Sequence, residues 1–146
     1  MTEKNQSICP VCDGGELHTI TYSDTFKHNG RPLQIHGLEG CKCLACDADP
    51  ILPHQIKRNQ ARIADAKRHA DGMLSGEELL KVRERLGLTQ NQAAKIFGGG
   101  IKAFAKYERG EVIQSAAMDT LLRIVDQHPA LLGEVAALRG VDYAAQ

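Results

Sequence analysis

Four of the five cysteines in this 146-residue chain form two Cys-x-x-Cys pairs, Cys9/Cys12 and Cys43/Cys46. Thiolates on two such knuckles can close one tetrahedral zinc site, so these four are predicted as its ligands. Four protein ligands leave no open position for water or substrate, which makes the expected zinc structural. Cys41 is an alternative to Cys43 in the shell or a spare thiol, and His36 and His54 are further donors or plain hairpin and loop residues. Cys9-Pro10-Val11-Cys12 superficially matches a redox dithiol, but it lacks a βαβ setting, and the second pair argues against that chemistry.

Between the knuckles, Glu16 to His28 is rich in Thr, Ile, Tyr and Phe and is followed by Asn29-Gly30. Asn-Gly supplies the positive φ angles of a type I′ turn, so a hairpin is predicted, with Arg31 to Leu38 returning and Leu33 and Ile35 on one face. This segment has too little apolar material to fold by burial alone, and zinc is expected to supply much of its folding free energy. Gln55 to Asp71 contains no Gly or Pro and spaces Ile56, Ile63, Ala66 and Ala70 as a helix would, which predicts a helix docked weakly on the zinc unit.

The remainder carries clear helical punctuation. Ser75 and Glu78 have capping-box spacing ahead of a stripe of Leu79, Val82 and Leu86, and Gly87 stands near the C-cap. Thr89 and Gln92 repeat the pattern ahead of Ala93, Ile96 and Phe97. Gly98-Gly99-Gly100 must end that helix, since each glycine costs roughly 1 kcal/mol in a helix interior. A third helix is predicted from Ile101 to about Arg109, a fourth over Gln114 to Gln127, and a fifth over Ala130 to Arg139 after Pro129. The fold class is therefore α+β: a four-cysteine hairpin module with a trailing helix (1–71), a hinge (72–76) and an all-α five-helix domain (77–146).

Two short capped helices joined by a glycine turn are the ingredients of a helix-turn-helix, although packing alone also produces them. At the start of the second helix, Thr89 and Gln90 would direct backbone N–H groups and an amide toward a phosphate. In the third, Ile101, Phe104 and Tyr107 can face inward, leaving Lys102 and Lys106 on the opposite face for base edges or phosphates. Gly100, Ala103 and Arg109 complete the candidate DNA-binding set, with exposed solubilising lysines as the plainer alternative. Formal net charge is zero, yet residues 55–71 carry five basic and two acidic side chains. Such a local excess fits DNA binding or a solvated helix face. There is no Gly-rich phosphate loop, Ser/His/Asp order or paired acids, so an enzyme is not expected, and Glu108 is expected to pair with an arginine such as Arg83. The polar start and the short apolar runs predict neither signal peptide nor membrane span, hence a cytoplasmic protein.

The sequence resembles the MqsA antitoxin family through Cys9-Pro10-x-Cys12, His36-Gly37-Leu38, Lys81-Val82-Arg83 before Leu88-Thr89-Gln90, and Phe97-Gly98-Gly99-Gly100 followed by Ala103-Phe104 and Tyr107-Glu108-x-Gly110. Leu121-Leu122-Arg123, His128-Pro129 and Leu131-Leu132 continue the resemblance. It implies a zinc-binding domain that contacts a toxin, often a ribonuclease, and an Xre-like domain that dimerises on the double-stranded operator of its own operon. Family members of the best-known type carry Asn and Arg where Lys102 and Lys106 stand, so the operator sequence does not carry over. The second function considered is a solitary zinc-containing helix-turn-helix regulator with no toxin partner. Homodimerisation is expected through Leu121, Leu122, Leu131, Leu132, Val135 and Leu138.

Overall fold

A computed structural model of the chain describes residues 8–143. Strands β1 (Leu17–His28) and β2 (Arg31–Cys43) are followed by helices α1 (Pro53–Ala70), α2 (Gly76–Arg85), α3 (Gln90–Phe97), α4 (Ala103–Arg109), α5 (Ala116–Gln127) and α6 (Leu131–Leu138). The chain divides into two compact units at Ile63/Ala64, within α1 and ahead of residues 72–76. Among the described residues no helix is long and apolar enough to cross a membrane.

In the first unit β1 and β2 pair antiparallel from His28↔Arg31 to Leu17↔Cys43. Asn29 and Gly30 take φ of 51° and 76°, as a type I′ turn requires. The return strand continues past the expected Leu38 to Cys43, so the second knuckle grows directly out of the sheet. Pairing shifts between Tyr22↔Leu38 and Asp24↔Ile35, which sets Ser23 alone against His36 and Gly37. Gly37 sits there at φ 74°, the left-handed position of a bulge.

Helix α1 meets β2 through polar side chains, not through the expected isoleucine. Ile56 is 44% exposed, whereas Gln55 and Asn59, one turn apart, are buried. Asn59 accepts from Glu39 N and donates to Glu39 O, both at 2.8 Å, as a neighbouring strand would. Gln55 donates to Gly40 O at 3.1 Å and accepts from Leu52 N at 2.9 Å. The helix thereby satisfies backbone groups that a two-stranded sheet leaves open on this edge.

The second unit packs α2 to α6 around Leu79, Val82, Ile96, Phe104, Leu122 and Val125. Both expected capping boxes are present, at Ser75/Glu78 and Thr89/Gln92. Gly76 is required at the start of α2, because a Cβ there would lie 2.5 Å from Glu108 O in α4. Helix α4 begins two residues later than expected, and α5 starts at Ala116, leaving Gln114 as a buried residue of the preceding loop.

Arg68, in the last turn of α1, is 0% exposed. Its guanidinium donates to Gln114 Oε1 (2.9 Å), Tyr107 O (2.7 Å), Val112 O (3.0 Å) and Asp65 Oδ1 (2.9 Å). Gln114 in turn donates to Leu74 O and to Asp119 Oδ1, which also accepts from Leu74 N. Arg123 donates to Asp119 Oδ2 and to Gly72 O, so residues 72–74 are tied to α5. The basic stretch of α1 is thus only partly a charged surface.

Truncating Arg68 strands the Gln114 amide oxygen and two carbonyls. Arg68→Met is expected to destabilise the helical unit by roughly 3–5 kcal/mol, the cost of breaking a buried ionic network. Urea unfolding followed by helical circular dichroism measures it; a loss below about 1 kcal/mol would show the network to be dispensable.

Candidate functional site

The two knuckles adopt the same local turn. Asp13 N donates to Cys9 O (2.9 Å) and Asp47 N to Cys43 O (3.1 Å). Asp13 and Asp47 both lie in the left-handed region, at φ 56° and 65°. Each turn brings its two sulfurs to one side, and the antiparallel register delivers the pairs to each other.

The sulfurs of Cys9, Cys12, Cys43 and Cys46 all lie within 4.8 Å of one another. Cys9 Sγ is 3.7 Å from Cys46 Sγ, and Cys12 Sγ is 3.8 Å from Cys43 Sγ. A tetrahedral zinc with Zn–S bonds of about 2.3 Å sets its sulfurs about 3.8 Å apart, so the donor set fits that ion. Gly15 closes the space beneath it: a Cβ there would fall 2.2 Å from Cys43 Sγ and 3.1 Å from Cys12 Sγ.

Backbone N–H groups of Cys46, and then of Ala45, draw the Cys43 thiol down to about 7 against the opposing effect of desolvation. For Cys46 the Ala48 N–H favours the thiolate. Desolvation and the Cys43, Cys9 and Cys12 sulfurs outweigh it and push the thiol up to about 12. Crowded thiolates repel one another, and a divalent cation removes that obstacle by replacing the protons.

Cys41 does not enter the cluster in place of Cys43. It is buried, and its Sγ donates to Gln55 Oε1 at 3.5 Å. His36 Nδ1 pairs instead with Ser23 Oγ at 2.7 Å, and neither it nor His54 belongs to the four-sulfur group.

The helical unit places the other candidate residues around α3 and α4. Thr89 Oγ1 accepts from Gln92 N as the N-cap of α3. The Gln90 amide donates to Glu108 Oε2, so this side chain is held by α4 and not extended toward solvent. Glu108 also accepts from Arg83 Nε at 2.5 Å, the expected ion pair, and Arg83 donates to Leu88 O. One carboxylate thus locks α2, α3 and α4 together.

Lys102 and Lys106 are exposed on α4 and its N-cap. Gly100 is exposed at φ 91°. Arg109 is exposed and pairs with Glu111 at 3.2 Å. Ala103 is buried: it packs toward Gly99, where a Cβ would lie 3.0 Å from the Ala103 methyl and 2.8 Å from the Tyr107 hydroxyl. Phe104 and Tyr107 face inward as expected, with ring centroids 5.6 Å apart.

Ile101, expected to join them, is 69% exposed. The helix starts only after Lys102, so Ile101 lies in the preceding turn and the three-residue spacing to Phe104 does not put it on the buried face. With Gly99, Gly100, Lys102, Lys106 and Val112 it lines a groove of about 310 Å³.

Residues that the sequence left unmarked are Gln55, Asn59, Arg68, Gln114 and Asp119. They are buried and polar, and apolar periodicity cannot detect such groups.

The chain matches the model of the family described as "Antitoxin component of bacterial toxin-antitoxin system, MqsA" over residues 7–136. It is 32% identical to Antitoxin MqsA of Escherichia coli (strain K12) over 128 residues, covering 87% of this chain and 98% of that protein. It is 23% identical to Antitoxin HigA-2 of Vibrio cholerae serotype O1 over 91 residues, covering 52% of this chain and 88% of that protein.

Three substitutions separate a metal site from a cluster of free thiols. Cys43→Ser and Gly15→Ala are expected to abolish or severely weaken zinc retention, whereas Cys41→Ser keeps one equivalent, as metal analysis of dialysed protein would show. Zinc uptake near neutral pH should release protons, Cys46 contributing one because its thiol sits near 12. Metal affinity should therefore fall as the pH is lowered. Chelation should erase the hairpin resonances in NMR spectra and spare those of α2 to α6.

Proposed function

The chain belongs to the MqsA antitoxin family, and on that premise we propose that it binds a toxin through its zinc-stabilised hairpin unit and represses its own operon by binding palindromic operator DNA. The observation that carries the DNA half is the pair Lys102/Lys106. Both are exposed and a turn apart, Lys106 on α4 and Lys102 at its N-cap, and the helix is fixed from behind by Phe104, Tyr107 and the Arg83–Glu108 pair. Neither lysine has a carboxylate partner among the described residues. A cationic face on a helix that follows a capped α3 across a three-glycine turn supports reading α4 as a recognition helix. Thr89 and the N-terminus of α3 would contact phosphate, and Arg109 would contribute once released from Glu111.

The four-sulfur site supplies stability and no chemistry in this reading, since zinc held by four cysteines has no open position. The protein acts as a cytoplasmic regulator, not as an enzyme. Among the described residues the sheet has two strands, β1 and β2, and a partner strand could add along the edge of β1 away from β2. Dimerisation is proposed through α5 and α6. Leu122 and Leu132 are consumed by the core and Leu121, Leu131 and Val135 are partly covered, but Leu138 is 85% exposed and Ile124 is exposed as well.

Purification from the native host with the operon intact, followed by sedimentation, tests the assembly. The expected species is a dimer of this chain carrying a stoichiometric small partner, and a partner-free dimer that still binds DNA would favour the solitary regulator.

The lysines are tested on specific and scrambled duplexes across a salt series. A lysine that reads a base edge should cost roughly 1–3 kcal/mol on the specific duplex when replaced by Ala. One that touches phosphate should weaken all duplexes equally and reduce the salt slope by nearly one unit. Unchanged affinity and slope in both variants would remove α4 from the groove.

A further inference from the structure

Among the described residues the groove beside the two lysines carries two exposed aliphatic side chains, Ile101 and, less exposed at 44%, Val112. Ile101 is 69% exposed and stands beside Lys102, with Lys106 on the same groove. Gly100, at φ 91°, puts no side chain on its other flank, so a ligand surface meets the isoleucine unobstructed. A protein surface covering Ile101 would have to desolvate both lysines, neither of which has a carboxylate partner among the described residues. Duplex DNA instead offers phosphates and base acceptors to the lysines. In the major groove the one apolar group on a base edge is the 5-methyl of thymine.

We propose that Ile101 is a specificity-determining residue that packs on a thymine methyl next to the base pair or phosphate reached by Lys102. This rests on the reading of α4 as the groove helix and adds to it the base that is selected. The lysines supply attraction and the isoleucine supplies discrimination, since burying a methyl against it is favourable and a methyl-free base leaves it facing water.

The probe is a duplex selected from a random pool by the full-length wild-type protein, then resynthesised with deoxyuridine replacing each thymine in turn. Deoxyuridine keeps every hydrogen-bonding group and removes the methyl alone. One thymine per half-site is expected at which the replacement weakens wild-type binding by about fourfold. Ile101→Ala should weaken binding to the thymine duplex by a similar factor and be indifferent to deoxyuridine at that same position, so the two losses do not add. The wild-type measurement requires no variant, and an exposed residue is replaced without loss of the helical fold, which circular dichroism checks.

Wild-type affinity unaffected by deoxyuridine at every position would overturn the proposal. So would an Ile101→Ala protein as sensitive to deoxyuridine as wild type. Either result leaves the groove reading standing while the Lys102 and Lys106 variants still lose affinity. Selection that enriches no sequence, together with inert lysine variants, would bring down that reading and this proposal with it.

Discussion

Both units close on polar side chains of α1 that stand in for missing backbone partners. Asn59 pairs with both groups of Glu39, Gln55 bridges Gly40 and Leu52, and Arg68 takes up carbonyls of Tyr107 and Val112. A two-stranded hairpin buries little: among the described residues its buried apolar side chains are Ile35 and Leu38 of β2 and a cluster of Cys9, Leu17, Cys41 and Cys43. Such a unit cannot afford unsatisfied edge groups as well, because each would cost about as much as a core contact returns. The hydrogen-bonding helix and the four-sulfur site solve the same shortage from two sides. In the helical unit Arg68 covers the end of α4, where the last turn leaves carbonyls without an intrahelical donor.

This division explains which parts of the fold were legible in the sequence. Local rules with their own chemistry were readable: cysteine spacing, the Asn-Gly turn, the two capping boxes and the glycine stops correspond to structure nearly residue for residue. Features that depend on a distant partner were not. Arg68 looks like one charge in a basic stretch until Gln114 and the end of α4 are brought to it. Gln114, expected to begin α5, is needed as the relay between Arg68 and Leu74. His36 was a possible metal donor by residue type, and the bulge at Gly37 instead gives it to Ser23.

Ile101 shows how periodicity fails at a helix entrance. The spacing Ile101, Phe104, Tyr107 is that of a buried helical stripe, but the stripe is valid only where the backbone is helical. Three consecutive glycines with φ near 90° delay that start until Lys102 caps α4. A shift of two residues at the boundary therefore converts a core residue into a surface one. The same run of glycines leaves room for Tyr107, whose hydroxyl occupies the place a Gly99 side chain would need.

The chemistry of lysine bears on how a face of this kind could select DNA. An ammonium is a compact, strongly hydrated point charge without the planar fork that lets arginine match guanine in two hydrogen bonds. Two lysines therefore supply attraction and depth in the groove more readily than discrimination among acceptors. Arg109, the guanidinium nearest to them in sequence, is engaged with Glu111, and Arg83 is spent on Glu108. With Arg83 held by Glu108, Arg109 is the forked cation left to join the lysines, and shape and apolar contact are further means of telling one base edge from another. On the proposed reading of α4, the exposed aliphatic side chain beside Lys102 is where that discrimination is expected to reside.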